Sequence, residues 1–357
     1  MIGLVLRIAA KILTLLLYAA TLCAAYGGYV NPHIWATPSI LTLALPYLAL
    51  STLIAAVLWG IGRRLFIALI GAATLLASWG PVVTAVPVGS ANRAETSDTF
   101  TVMTYNIMHG VDESDPKSNA GESIRYLIDS GADIVCLQEM WGFSPEMMPT
   151  VPKPLIDSLK KVYPYCVFGS MDLTVLSKYP LSQVRVDGTP PNSEFIATAD
   201  VRGRRLTLVN VHLESYRLSD EEREVVSDIN SVGTAKSSLR EFKGSIMGKL
   251  KQSFRNRADD AVHLRRALDG ISGPVIVCGD FNDVPASWVY RKVRGDDFHD
   301  AFAETNFGYK ITYRSHRMYF HIDQILYRGD LRALDVKRIK AGASDHYPLI
   351  AEFEFIK

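Results

Sequence analysis

The pentapeptide Gly279-Asp280-Phe281-Asn282-Asp283 directly follows the apolar run Pro274-Val275-Ile276-Val277-Cys278. A buried strand therefore ends by presenting a carboxylate, an amide and a second carboxylate within five residues. The pattern recurs along the chain. Asn106 follows Phe100–Tyr105, Glu139 follows Asp133–Gln138, His212 sits inside Leu206–Leu213, Asp323 interrupts Tyr319–Leu326, and Asp345-His346 precedes the last apolar run. Short apolar strands that converge on acids, amides and imidazoles make a site for a hard cation and a phosphate. Glu139 is the best first metal ligand, since it ends an apolar strand where a buried charge would otherwise be costly. Asp345 is the second. Asp323 is placed to hold a histidine in one tautomer, and His346 is the histidine to pair with it. Asp280 and Asn282 alternate along one strand end and so point the same way, one for the attacking water and the other for a phosphate oxygen.

The elements that must carry these residues divide the 357-residue chain unevenly. Between Lys11 and Arg63 there is no Asp, Glu, Lys or Arg, and none between Arg64 and Arg93. Crossing the hydrocarbon core takes roughly 20 apolar residues, so these stretches predict three transmembrane helices, near 6–27, 35–60 and 65–85. Arg7, Lys11 and the Arg63-Arg64 pair place the amino terminus in the cytoplasm, and three crossings then leave the remainder outside it. A membrane section over residues 1–87 is followed by a small, polar linker over 88–98 and a domain over 99–357.

Within that domain, strand-like runs fall near 100–107, 133–138, 165–169, 173–177, 194–201, 205–213, 275–279, 319–327 and 347–355. Helical patterns fall near 120–130, 154–162, 286–293 and 217–268. Strands mixed with helices at this length predict an α/β domain with helices covering sheets. The 214–270 stretch reads as a helical insertion, acidic first and basic later, with an apolar stripe through Leu239, Phe242, Ile246, Met247, Leu250 and Phe254. Such a helix packs its stripe on the domain, or lies on an anionic membrane or polyanion. A net charge of +1 gives no global field for nucleic acid. The four cysteines lack zinc or redox spacing and read as reduced packing residues. Gly244–Leu250 is one residue short of a phosphate loop, and neither a nucleophile elbow nor a His-Glu-x-x-His motif is present.

In this order, Thr104-Tyr105-Asn106-Ile107, Leu137-Gln138-Glu139, Val175–Pro180, Asn210-Val211-His212-Leu213, Gly279-Asp280-Phe281-Asn282, Ile322-Asp323-Gln324-Ile325 and Ser344–Leu349 resemble the endonuclease/exonuclease/phosphatase superfamily. The resemblance spans about residues 99–357. It implies a four-layered α/β sandwich with two central sheets and a magnesium site at one end, with manganese a possible substitute. Carried over by position, it gives Glu139 to the metal with Asn106 and Asp345 nearby. Asp280 is given to the water, and Asn282 and His212 to the phosphate. His346, oriented by Asp323, is given to the transition state or to base catalysis. Two departures stand out. Met108 occupies a place where apurinic endonucleases carry an acid, which weakens an abasic-site repair reading. Asp172, in a segment slightly closer to the sphingomyelinase branch, has no assigned role.

The sequence thus predicts a membrane-anchored, magnesium-dependent hydrolase of phosphate esters outside the cytoplasm, acting on a lipid headgroup or a nucleic acid. The competing readings are a nonspecific nuclease using the basic 236–257 face and a catalytically inactive module on a membrane stem. No protein partner is inferred.

Overall fold

The computed structural model of the chain describes every residue except 1, 109–119, 141–150, 170–171, 184–193, 220–221, 223–235, 316–317, 342–343 and 357. The amino-terminal section is helical: α1 Ile2–Gly27, α2 Thr37–Thr42, α3 Leu45–Ile61, α4 Leu65–Ala77 and α5 Trp79–Ala85. Pro38 and Pro46 sit at the first turns of α2 and α3, where a missing N–H costs nothing, and each begins a new helix. The span expected at 35–60 is thereby cut. Among the described residues one helix, Gly3–Gly27, is long and apolar enough to cross a membrane, or two if α4 and α5, bent by 65°, count together. The expectation of three transmembrane helices is corrected accordingly, because an apolar composition does not register where prolines restart the chain.

The section folds back on itself. Trp59 Nε1 donates to Thr14 Oγ1 (3.0 Å), and the Thr21 and Thr52 hydroxyls meet at 2.7 Å, so α3 runs antiparallel to α1. Tyr26 Oη donates to Ala77 O (2.7 Å), and a methyl at Gly71 would fall 2.5 Å from Tyr18 Oη, so α4 runs beside α1 in the same direction. The turn at Gly62-Arg63-Arg64 therefore lies at the same end as Arg7 and Lys11, and the rest of the chain attaches at the other end.

Two six-stranded mixed sheets follow. The first orders β13 (Leu331–Arg338), β14 (Leu349–Phe355), β1 (Thr99–Asn106), β2 (Ile134–Gln138), β4 (Thr174–Ser177) and β3 (Tyr165–Phe168). The second orders β5 (Leu181–Gln183), β6 (Glu194–Val201), β7 (Arg204–His212), β8 (Val275–Asp280), β12 (Asp323–Arg328) and β9 (His299–Asp300). Each has one parallel pair, β1 with β2 and β7 with β8, among antiparallel neighbours. Alternation along a strand sends successive side chains to opposite faces. Val102, Ile134, Cys136 and Val175 of the first sheet accordingly meet Leu206, Leu208, Ile276 and Cys278 of the second in one core. The opposite faces are covered by helices. α6 (Ala120–Asp129) and α7 (Lys153–Val162) pack on the first sheet, and α8 (Lys236–Asp269) and α9 (Trp288–Arg294) on the second. A short helix α10 (Ala301–Thr305) and a hairpin, β10 (Tyr313–Ser315) with β11 (Met318–Phe320), complete the described elements.

The stretch expected as a linker lies flat on the domain. Val88 bridges to Phe307, Asn92 N donates to Leu334 O (2.7 Å), and Glu95 N and Thr96 N donate to the Glu354 carboxylate. The long helix of the 214–270 insertion begins at Lys236. Ile246 and Phe254 of its expected stripe are buried and Met247 is exposed, while Leu239 and Phe242 lie outside the described side chains. All four cysteines are free.

Candidate active site

Strand direction gathers the functional residues. The parallel register of β1 and β2 sets Asn106 opposite Gln138, so Glu139 emerges beside it. The parallel register of β7 and β8 sets His212 opposite Asp280, and antiparallel β12 sets Asp323 opposite the same Asp280. β14 runs against β1 with Leu349 opposite Thr104, so Ser344, Asp345 and His346 arrive at that end too. Parallel strands put their carboxyl ends on one edge, and ligands of α/β sheets bind there. Two buried amides hold the sheets in register beneath the site: Gln138 Nε2 donates to Asn210 Oδ1 (2.6 Å), and Asn210 Nδ2 to Leu137 O (2.8 Å).

The sheets are joined again at the surface of the site. Asn106 Nδ2 donates to Glu139 Oε1 (3.0 Å) and to Asp280 Oδ2 (3.2 Å), bringing carboxylates of different sheets onto one amide. The Ser344 hydroxyl donates to Asn106 O (2.7 Å) and accepts from His346 N (3.0 Å), which fixes the last segment to the first strand. Asn282 N donates to Asp280 Oδ1 (2.8 Å), and Asn282 Nδ2 donates to Leu213 O (2.9 Å).

Two imidazoles flank Asp280. His346 Nδ1 donates to Asp323 Oδ2 (2.9 Å), a carboxylate that itself lies behind the ring, and its Nε2 is 3.6 Å from Asp280 Oδ2. His212 Nδ1 donates to Asp172 Oδ2 (2.8 Å), and its Nε2 lies 3.8 Å from Asp280 and 3.9 Å from Glu139. The two histidines thus present the same nitrogen to the same carboxylate, each steered by its own aspartate. The Asp323 partnership matches the sequence expectation. The Asp172 partnership was missed. Its only signal was an acid in an otherwise apolar approach to β4, and no spacing rule links residue 172 to residue 212.

Glu139, His212, Asp280, Asn282, Asp345 and His346 line one cavity of about 410 Å³, within the range of small-molecule sites. Asn106 and Asp323 stand one layer below, hydrogen-bonded to its walls. Among the described lining residues there is no Lys or Arg. Glu139, Asn282 and Met108, all on that lining, have positive φ of 57°, 51° and 44°. For side chains other than glycine this conformation costs on the order of 1 kcal/mol each, and such strain collects at functional sites.

The electrostatics follow from this crowding of acids. Burial opposes charge on His212. The Asp172 hydrogen bond and the carboxylates of Asp280 and Glu139 outweigh it, lifting the imidazole to about 9. Burial likewise opposes charge on His346, and Asp323, Asp280 and Asp345 together raise it well above the ordinary value. Asp280, Asp323 and His346 bring ligand atoms within 4.8 Å of one another. Within this group the Nδ1 of His346 is taken by its hydrogen bond to Asp323.

The model of the endonuclease/exonuclease/phosphatase family matches residues 103–346, and that of a domain of unknown function (DUF8431) matches residues 7–85. No curated protein matches the chain. Among solved structures, an endonuclease/exonuclease/phosphatase from Beutenbergia cavernae is 16% identical with a TM-score of 0.46, over 72% of each chain. The human Nocturnin catalytic domain with bound sulfate is 17% identical with a TM-score of 0.45, over 73% of this chain and 96% of that one. Humanized D. rerio TDP2 is 17% identical with a TM-score of 0.45, over 72% and 100%. A family model that runs from the middle of β1 to His346 takes in every strand end that reaches the cavity, and the chain belongs to the endonuclease/exonuclease/phosphatase family of phosphoester hydrolases.

Proposed function

We propose that the chain is a membrane-anchored, magnesium-dependent hydrolase of phosphate esters whose catalytic domain works outside the cytoplasm. The observation that carries the reading is one cavity walled by Glu139, Asp280 and Asp345 and flanked by two aspartate-steered histidines, with no Lys or Arg among its described lining residues. The three carboxylates outnumber the two imidazoles between them, so an arriving phosphate needs a further cation to offset them. The donor set therefore fits a divalent ion, and oxygen donors of this kind suit magnesium, or manganese in its place. Glu139 and Asp345 would hold it, with Asn106 keeping Glu139 in position. When bound, the ion draws charge from the phosphate oxygens.

The rest is work for the chain's own groups. Asp280, set between two imidazoles, holds the attacking water and takes its proton. Asp323 and Asp172 occupy the Nδ1 hydrogens of His346 and His212, so both rings offer Nε2 to the phosphate and to the charge that grows on it. Asn282, with its backbone N–H spent on Asp280, supplies a further contact to a phosphate oxygen.

A nonspecific nuclease is less well supported. Polyanion binding needs accessible cations. Among the described side chains in the basic part of α8, Lys249 is paired with Glu222 (2.7 Å) and Arg257 is fully buried between Tyr216 and Phe254, which leaves Lys251 and Arg255, both half-buried. Membrane anchoring rests on the apolar surface of α1, where Leu4, Val5, Leu6, Leu13 and Leu16 are exposed. The side rests on Arg7, Lys11, Arg63 and Arg64, which gather at the end away from the cavity.

The test is release of nitrophenolate from bis(p-nitrophenyl) phosphate by the full chain in detergent. Activity should need magnesium or manganese, vanish with chelator and be absent in Glu139→Gln. Chelator-insensitive turnover would remove the metal from the reading.

A further inference from the structure

The amino-terminal section also reaches the catalytic cavity. Ile40 of α2 and Leu43 just after it line the same space as Glu139 and His346. They are joined there by Leu218, Leu250, Met318 and Phe320, from the segment after β7, from α8 and from the hairpin. The cavity is therefore two-sided: carboxylates and imidazoles at the strand ends, hydrocarbon where the helical section meets the domain.

This wall is built, not incidental. α2 is fixed through its other residues: Pro38, Ser39 and Thr42 are buried, and Thr42 Oγ1 donates to Ala24 O (3.0 Å). A methyl group at Gly27 would fall 2.5 Å from Thr42 Oγ1 and 2.6 Å from Pro38 O, so α1 and α2 touch backbone to backbone. At Gly28 it would fall 1.8 Å from Ala286 O, four residues past Asn282, which seats the end of α1 on the loop leaving the active-site strand. Further ties surround the mouth. His33 Nε2 meets Asp259 Oδ1 of α8 (2.9 Å), Tyr47 Oη donates to Tyr319 O of the hairpin (3.0 Å), and the Arg291 guanidinium lies 4.0 Å over the Tyr29 ring. With Pro38, Ser39 and Thr42 turned inward, Ile40 and Leu43 are left half-buried and facing the cavity.

We propose that Ile40 and Leu43 form part of the substrate site and hold the hydrocarbon tail of a membrane lipid whose phosphate ester lies against Asp280, His212 and His346. The inference rests on the hydrolase reading above and adds the substrate class. A water-soluble phosphate ester would leave these side chains facing solvent in the bound state, and a nucleic acid brings no hydrocarbon to cover them. A lipid from the bilayer that α1 enters does, since its tail arrives beside α2 and its phosphate at the strand ends.

The experiment uses the full chain in lipid nanodiscs and a series of alkyl p-nitrophenyl phosphodiesters, from methyl to octyl, with one leaving group throughout. Each methylene that is buried should raise kcat/KM about fourfold, which is 0.8 kcal/mol per CH₂ converted to a ratio. Partitioning into the bilayer contributes to this slope equally in all variants, so the quantity read is wild type over variant at each chain length. Leu43→Ala should lower kcat/KM for the octyl ester roughly tenfold and leave the methyl ester within about twofold. Ile40→Trp, which fills the wall instead of emptying it, should reject octyl while sparing methyl, and a variant that failed to fold would lose both. Equal effects on methyl and octyl esters in a variant whose thermal midpoint is unchanged, or none on either, would overturn the tail assignment while the hydrolase reading stood. No release from any ester with magnesium present would sink the hydrolase reading, and the tail assignment with it.

Discussion

At the scale of single residues, the proposed function rests on pairs in which one member would act and the other aim it. Glu139→Gln should abolish turnover and weaken magnesium binding, seen by calorimetry, while the thermal midpoint stays within a few degrees; unchanged activity would remove Glu139 from the metal. His346→Ala should lower kcat by about 10²–10⁴ with little change in KM, and Asp323→Asn should reproduce part of that loss by freeing the ring. Asp172→Asn is the more informative variant. It should lower kcat about tenfold to a hundredfold through His212, and wild-type kinetics would show that the 2.8 Å contact steers nothing. Most of these residues were legible in the sequence because each follows an apolar strand, and a strand end in an α/β sheet is where ligands sit. Asp172 was not, since its meaning depends on a partner 40 residues away on another sheet.

The elements show where such reading stops. β1, β2, β4, β7 and β8 were legible from β-branched and apolar runs, and the structure bounds them within a residue or two of expectation. β5, β9 and β13 were not: the first two are only three and two residues long, and Leu331–Arg338 alternates with charges that disguise its buried face. In the helical section, hydrophobic composition gave the extent but not the breaks, which Pro38 and Pro46 make. Close packing of β8 on β7 yields a sharp expectation. Gly279 has φ +149°, and a methyl there would fall 1.9 Å from Val211 O, so Gly279→Ala should cost about 3 kcal/mol or more in urea unfolding. The turn into β12 yields another. His321 is buried on Phe302 with its Nδ1 donating to Lys310 O (2.7 Å), and burial depresses its pKa to about 4. A histidine whose folded value is depressed is protonated first in the unfolded chain. Its contribution, at most about 3 kcal/mol, is present above pH 6.5 and lost as the pH falls towards 4. Asp283, lifted by burial to about 6, acts oppositely and loses stability for the fold as pH rises from 3.8 to 6. The measurement is therefore the difference between wild type and His321→Gln in thermal midpoint at pH 7 and pH 4.5. The midpoint of the variant should fall less, and parallel falls would exclude His321 as the cause.

For the whole molecule, the antiparallel path of α1 and α3 puts all four basic residues of the first 92 at one pole and the cavity at the other. A phosphatase reporter that works only outside the cytoplasm, fused after Lys357, should be active; a reporter active only inside would reverse the orientation. The segment from Val88 to Thr96 has a separate consequence. Its bonds to Phe307, Leu334 and Glu354 tie the helical section to the sheets. With the membrane anchor proposed above, that tie would hold the mouth at one height and bearing over the bilayer, and what it meets would be set by diffusion in two dimensions. For a lipid substrate, the rate should then track its mole fraction in the leaflet, and spreading the same quantity among inert lipids should slow turnover at unchanged bulk concentration.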